Sequence, residues 1–183
     1  MRINVTGRPK HVSSKIAKEA VKFFASALMT SRLTKTLTIN IRFVKDLSTS
    51  ELGRRFGLDN TEWAVMDYDY NRQRTRYPKH FDIEINSEIR TEQKLLECLA
   101  HEMVHVKQYA KGELDYTKWT DKKRWMGKLF NIKRHNYWFW PWEVEAYGKE
   151  IGLVSVFLEH NAERLNLPLS QYGRPTKGDW KAS

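Results

Sequence analysis

The stretch Leu95-Leu96-Glu97-Cys98-Leu99-Ala100-His101-Glu102-Met103-Val104-His105-Val106-Lys107-Gln108 holds two histidines four residues apart, with a glutamate directly after the first. On an α-helix this spacing sets both imidazoles one turn apart on one face, where they can converge on a single metal ion. Glu102 then stands within reach of a water on that ion. Neutral nitrogen ligands, an open coordination position and a carboxylate base for the water are the parts that zinc-dependent hydrolysis needs. Chance alone produces the five-residue pattern in about one chain in 70 of this length and composition. Its surroundings must therefore decide between a metal site and an ordinary polar helix face.

The surroundings read as a helix. Thr91 can cap it, Glu92 suits its first turn and Gly112 can end it. At about 100° per residue, Leu95, Leu96, Leu99, Met103, Val106 and Ala110 form one apolar stripe. His101 and His105 fall on roughly the opposite side, away from the face expected to meet the core.

A third ligand is expected from Pro141-Trp142-Glu143-Val144-Glu145-Ala146-Tyr147, which opens another helix with Pro141 at its first position. Val144, Tyr147, Ile151, Val154 and Leu158 make its expected apolar stripe. Glu143 borders that stripe, and Glu145 lies about 200° round from it, on the outward side with Lys149 and Glu159. Glu143 is thus the expected ligand, with His135 and Glu145 as alternatives.

The run Ala100 to Gln108, followed by Pro-Trp-Glu-x-Glu-Ala-Tyr on a later helix, resembles the small gluzincin metallopeptidases, and is similar to SprT-like and phage-encoded zinc-peptidase domains. In gluzincins the third ligand is a Glu on a downstream helix, often in a Glu-x-x-Ala-Asp/Asn pattern. Glu143 and Ala146 match it. Tyr147 stands where the family carries an Asp or Asn that supports a ligating histidine. SprT proteins proper use a third His instead of a Glu. The resemblance covers roughly residues 35–158. It implies a minimal zincin fold, a Zn²⁺ cofactor held by His101, His105 and Glu143, and Glu102 as the catalytic base. It also implies that the strand before the motif helix borders the cleft and offers a free edge to an extended peptide, which here would be Phe81 to Ile85.

At 183 residues the chain is most simply one domain over residues 1–166, followed by a flexible tail over 167–183 rich in Gly, Pro and polar residues. Arg2 to Thr6 reads as a short strand. Ser13 or Ser14 caps a helix to about Thr30, with Ile16, Ala20, Phe23, Phe24, Ala27 and Leu28 as its apolar face. Leu37, Ile39, Ile41 and Phe43 alternate with polar residues as a half-buried strand. Asp46 to Asn60 reads as loop or short helix, Glu62 to Tyr68 as a second strand, and Asn71 to Lys79, with Arg72, Arg74 and Arg76, as a basic hairpin loop. Phe81, Ile83 and Ile85 alternate in a third strand. The expected fold is α+β: a small three- to four-stranded twisted sheet packed on an N-terminal helix, the motif helix and a ligand helix.

The one cysteine, Cys98, excludes a disulfide framework and points to a reducing compartment, the cytoplasm, or a host's cytoplasm if a phage encodes the chain. Cys98 is expected to be a buried thiol rather than a fourth ligand. No secretory leader and no membrane partner are expected, and a monomer is the simplest state. The net charge of +10 suits a polyanionic neighbour such as nucleic acid, or simply a soluble surface. Within Lys111 to Trp140, Trp119, Trp125, Trp138, Phe139 and Trp140 interleave with Lys122, Lys123, Arg124, Lys128, Lys133 and Arg134. Such a mixture can stack bases and neutralise phosphates. The reading favoured here is a hairpin that buries its tryptophans and walls the metal site, with His135, Tyr137 and Tyr147 as candidate oxyanion stabilisers. The functions to weigh are a zinc metallopeptidase acting on a protein or peptide, a nucleic-acid-binding module with structural or no zinc, a protease acting on DNA-bound proteins, and a zinc amide hydrolase with non-peptide substrates.

Overall fold

The computed structural model describes residues 1–59, 61–68, 76–117 and 121–167. The expectations for Arg72, Arg74, Trp119 and the segment 168–183 fall outside these residues. Five α-helices and two small sheets appear among the described residues. The larger sheet holds β1 (Arg2–Thr6), β2 (Thr38–Val44), β3 (Ala64–Asp67) and β4 (His80–Asn86), in the order β1-β2-β4-β3. β1, β2 and β4 run parallel, and β3 runs antiparallel to β4. The period-2 alternation predicts this sheet correctly. Ile39, Ile41 and Phe43 pair in register with Phe81, Ile83 and Ile85, and all of them are buried.

The position of β4 corrects one expectation. The strand before the motif helix lies between β2 and β3, so it has no free edge. The outermost strand on that side is β3, whose four residues precede β4 in the chain.

Three long-range helices complete the core. α1 (Ser14–Leu28) begins at Ser13, whose hydroxyl accepts from the Lys15 N–H. Its inward face is Ile16, Ala17, Ala20, Val21, Phe24 and Ala25. Ala27 is exposed, and Phe23 and Leu28 are only half-buried. The expected stripe was weighted toward the bulky residues, whereas small Ala17 and Ala25 occupy the interior. Two short helices, α2 (Ser31–Lys35) and α3 (Glu51–Phe56), join the strands. Buried Glu84 of β4 holds α3 in place: its carboxylate accepts from the Leu52 N–H at 3.0 Å and meets Arg42 at 3.2 Å.

The motif helix is α4 (Glu92–Ala110). Thr91 caps it, accepting from the Lys94 N–H at 3.1 Å. Gly112 ends it at φ 66°, and a side chain there would meet the Tyr77 ring at 2.7 Å. The whole expected stripe, Leu95 to Ala110, is buried. So are Val104, Lys107, Gln108 and Tyr109, because α4 packs against α1, β3 and the last helix, α5 (Pro141–Leu165). The expected polar face is therefore not a solvent face. It is the contact with α5.

Between α4 and α5 lies a second, antiparallel sheet of β5 (Leu114–Tyr116), β6 (Lys122–Trp125) and β7 (Lys128–Asn131). Met126 and Gly127, both at positive φ, make the two-residue turn between β6 and β7. After α5, Leu167 is buried against the core and its N–H bonds to Ala162 O at 2.8 Å. Leu99→Ala, which opens a hole in the fully buried α4 stripe, should lower unfolding free energy by about 2–5 kcal/mol, as read from the midpoint and slope of urea denaturation.

Candidate metal centre

α4 carries His101 and His105, and the first turn of α5 carries Glu143. Their ligand atoms meet. The two Nε2 atoms are 3.2 Å apart, and each lies 3.4 Å from Glu143 Oε2. Ligands at about 2.0–2.1 Å from a tetrahedral zinc stand roughly 3.4 Å from one another. The cluster therefore has the size of one face of such a tetrahedron. Two imidazoles and one carboxylate also suit a divalent ion that takes nitrogen and oxygen. His101, His105 and Glu143 can hold a metal ion.

The far side of each imidazole is already fixed. His101 Nδ1 lies 3.1 Å from Glu150 Oε2, so the carboxylate takes the Nδ1–H and Nε2 is the nitrogen that a metal could use. Gln108 Nε2 donates to Trp142 O at 2.9 Å and to Glu145 Oε2 at 3.0 Å. Its Oε1 must then face His105 Nδ1, 2.8 Å away, which makes that nitrogen the donor and again frees Nε2. Lys107, only 6% exposed, anchors Glu145 at 2.7 Å and Glu113 at 2.5 Å.

These contacts correct the sequence reading of α5. Glu145 does not face outward, and it is not in the cluster; it ties α5 to α4 through Lys107 and Gln108. Val144 and Ile151, expected in the core, are 53% and 58% exposed. The buried face is Trp142, Glu143, Ala146, Val154, Phe157, Leu158 and Ala162. Glu143 points inward as expected, though the stripe used to infer it was rotated. Hydropathy misplaced the stripe because this helix buries a carboxylate and an alanine and exposes a valine and an isoleucine.

Charge follows geometry. Burial alone would lower the His101 pKa, but Glu143 and Glu150 outweigh it and raise the group to about 10. Burial likewise opposes protonation of His105, and Glu143 raises it. Burial would raise Glu143, yet the two histidines and Tyr137 hold it far below the usual carboxylate range. Burial raises Glu102, against the pull of His101 and His105. Glu102 is 8% exposed.

Of the three oxyanion candidates, Tyr137 and Tyr147 lie at the cluster and His135 does not. The Tyr137 hydroxyl donates to Glu143 Oε2 at 2.8 Å, and the Tyr147 ring packs on His101 at 4.5 Å between centroids. His135 is exposed and stacks on Phe130 at 4.5 Å, outside the cluster, so it is not placed as a ligand. Cys98 is buried, its thiol pushed up to about 12 by burial, and it is not in the cluster.

The basic aromatic stretch is in part a wall. Trp125 and Phe130 pack on Trp142 at 6.3 and 5.3 Å, and Trp140 packs on it at 5.4 Å. The expected burial of its tryptophans fails for Trp138, which is 61% exposed beside Phe139 at 73%. Gln108 and Glu150, which set the histidine orientation, are absent from the sequence reading. Their spacing carried a signal: three residues after His105 on one helix, and two turns after Glu143 on the other. No described helix is long and apolar enough to cross a membrane.

Fold and site together define a mixed α+β protein with a His-His-Glu cluster suited to a metal ion. Comparison with protein-family models, with curated proteins and with solved structures finds no match.

Replacing Gln108 by Leu, or Glu150 by Gln, should weaken metal affinity about 10–100-fold, measured by competition with a coloured chelator. In the metal-free protein the raised His101 adds stability that is complete below about pH 6.5 and fades as pH rises toward about 10. The urea midpoint of metal-free protein should fall across that window; a flat profile would show that the pairing with Glu143 and Glu150 adds no stability.

Proposed function

We propose that the chain is a zinc-dependent metallopeptidase of the zincin type. The observation that carries this is the size of the His101–His105–Glu143 triangle, with Glu102 directly beside it. A zinc ion bound there would supply Lewis acidity toward a water and a scissile carbonyl. Glu102 would accept the water's proton and pass it to the leaving amine. Burial raises the Glu102 pKa, which makes its carboxylate a stronger base toward that proton. Tyr137 and Tyr147, both hydroxyl donors raised by burial, would face negative charge growing on the carbonyl oxygen. Glu150 and Gln108 would keep both imidazoles in the ligating tautomer.

In a zincin layout the cleft would lie beside α4 and the sheet's outermost strand. β3 is the outermost strand beside α4. An extended peptide would pair with β3 rather than with β4. The nucleic-acid reading draws on exposed Trp138 and Phe139 near Lys133 and Arg134 in the chain, in a stretch from 122 to 142 that has no carboxylate. Oligonucleotide binding that falls steeply with salt and survives His101→Ala would favour it.

Purified protein should hold about one zinc per chain by mass spectrometry, and His105→Ala and Glu143→Ala should both lose it. Glu102→Gln should keep the metal and lose peptide cleavage by at least about a hundredfold. A wild-type protein that takes up no metal when zinc is supplied would refute the enzyme reading.

A further inference from the structure

The outward face of α5 carries chemistry that its own fold does not use. Val144, Tyr147 and Ile151 lie on one side of the helix and are 53%, 38% and 58% exposed. Gly148 and Gly152 leave the backbone between them bare. A Cβ at either glycine would meet nothing within 4 Å, so no internal contact demands a glycine there. Glycine weakens an exposed helix relative to alanine. Trp138 extends the apolar surface, its ring 5.1 Å from that of Tyr147. The strip then runs directly into the metal cluster, since Tyr147 packs on His101 and Tyr137 bonds to Glu143.

We infer that this strip is a substrate subsite that takes a large apolar or aromatic side chain next to the bond being cleaved. The inference rests on the peptidase reading above and names the substrate class of the same site. Continuity with the cluster selects the occupant. A peptide with its carbonyl at His101, His105 and Glu143 must lay its flanking residues over the adjoining surface. From Glu143 to Ile151 the helix rises about 12 Å, the length of about three to four residues of extended chain. Bare backbone at 148 and 152, bordered by Val144, Tyr147 and Ile151, gives a large side chain room to lie against the helix. Its burial there would favour binding in proportion to the apolar area covered.

The test uses the full-length Glu102→Gln protein loaded with zinc, so that binding is read without turnover. Two fluorescein-labelled decapeptides, identical except that one has Leu-Phe where the other has Ser-Ser, are titrated by anisotropy. The apolar peptide should bind at least about tenfold tighter. Adding Ile151→Asp, or separately Trp138→Ala, should shrink the difference to about twofold, with zinc content and affinity for the Ser-Ser peptide unchanged. Equal affinities in the parent, or discrimination that survives both substitutions, would overturn the inference. So would a concentration-dependent dimer, seen by sedimentation, that Ile151→Asp dissolves, because the strip would then belong to a second copy of the chain. Wild-type protein that discriminates in binding but cleaves neither peptide removes the peptidase reading and leaves the subsite. Cleavage of both peptides with equal kcat/KM and equal binding does the reverse.

Discussion

The contact between α4 and α5 is the constraint on which the rest depends. It buries Gln108, Lys107 and Glu143 and half-buries His101, His105 and Glu145 along one seam. Polar groups withdrawn from water are tolerated only when each finds a partner. Here each does: Glu150 and Gln108 for the imidazoles, Tyr137 for Glu143, Lys107 for Glu145 and Glu113. The seam is thus a polar jigsaw within an otherwise apolar core, and its requirement for full pairing fixes the relative placement of the two helices. Buried Ala146, with almost no side chain, lies three residues after Glu143 on the same inward face.

The rest of the fold serves that seam. The sheet of β1, β2, β4 and β3 supports α4 from below, and α1 packs on its apolar side. The small β5-β6-β7 sheet is not an ornament of the connection. Its Trp125 and Phe130 close over Trp142, one residue before Glu143, and thereby hold the first turn of α5. Tyr116 of the same sheet donates to buried Asp67 at the end of β3, at 3.1 Å, while Lys123 sits over the Tyr116 ring at 3.6 Å. Burial lowers the Lys123 pKa to about 8. One aromatic layer therefore links the outermost strand to the ligand helix.

Much of this was legible beforehand, and the failures have a common cause. Strand alternation at Leu37 to Phe43 and Phe81 to Ile85 predicts the sheet, and Thr91 and Gly112 bracket α4 where the caps say they should. The His-Glu-x-x-His spacing brings the two imidazoles together as expected, because that needs only local helix geometry. Hydropathy fails where burial is polar. Glu143, Gln108 and Lys107 are buried and Val144 and Ile151 are exposed, so a stripe drawn from apolar residues rotates α5 away from its true orientation. Glu145 was misplaced by the same rotation. Strand order is the other miss. Sequence separates β3 from β4 only as neighbours, and nothing local tells that β4 would insert between β2 and β3. Partners such as Glu150 emerge only when two helices are seen together.

The connection between the ligand helices has a consequence for how the centre assembles. Gln108 and Glu145, which meet across the seam, are 37 residues apart in sequence. His101 and His105 come together as soon as one turn of α4 forms, whereas Glu143 arrives only after that long loop is closed, against its entropy. A nascent or partly unfolded chain therefore offers an ion two nitrogens and no carboxylate, a weak and open grip. All three groups stand together only in the finished tertiary structure. Capture of an ion would in that sense be a late checkpoint on the whole chain: whatever loosens the β5-β6-β7 layer would also withdraw the carboxylate from the two imidazoles.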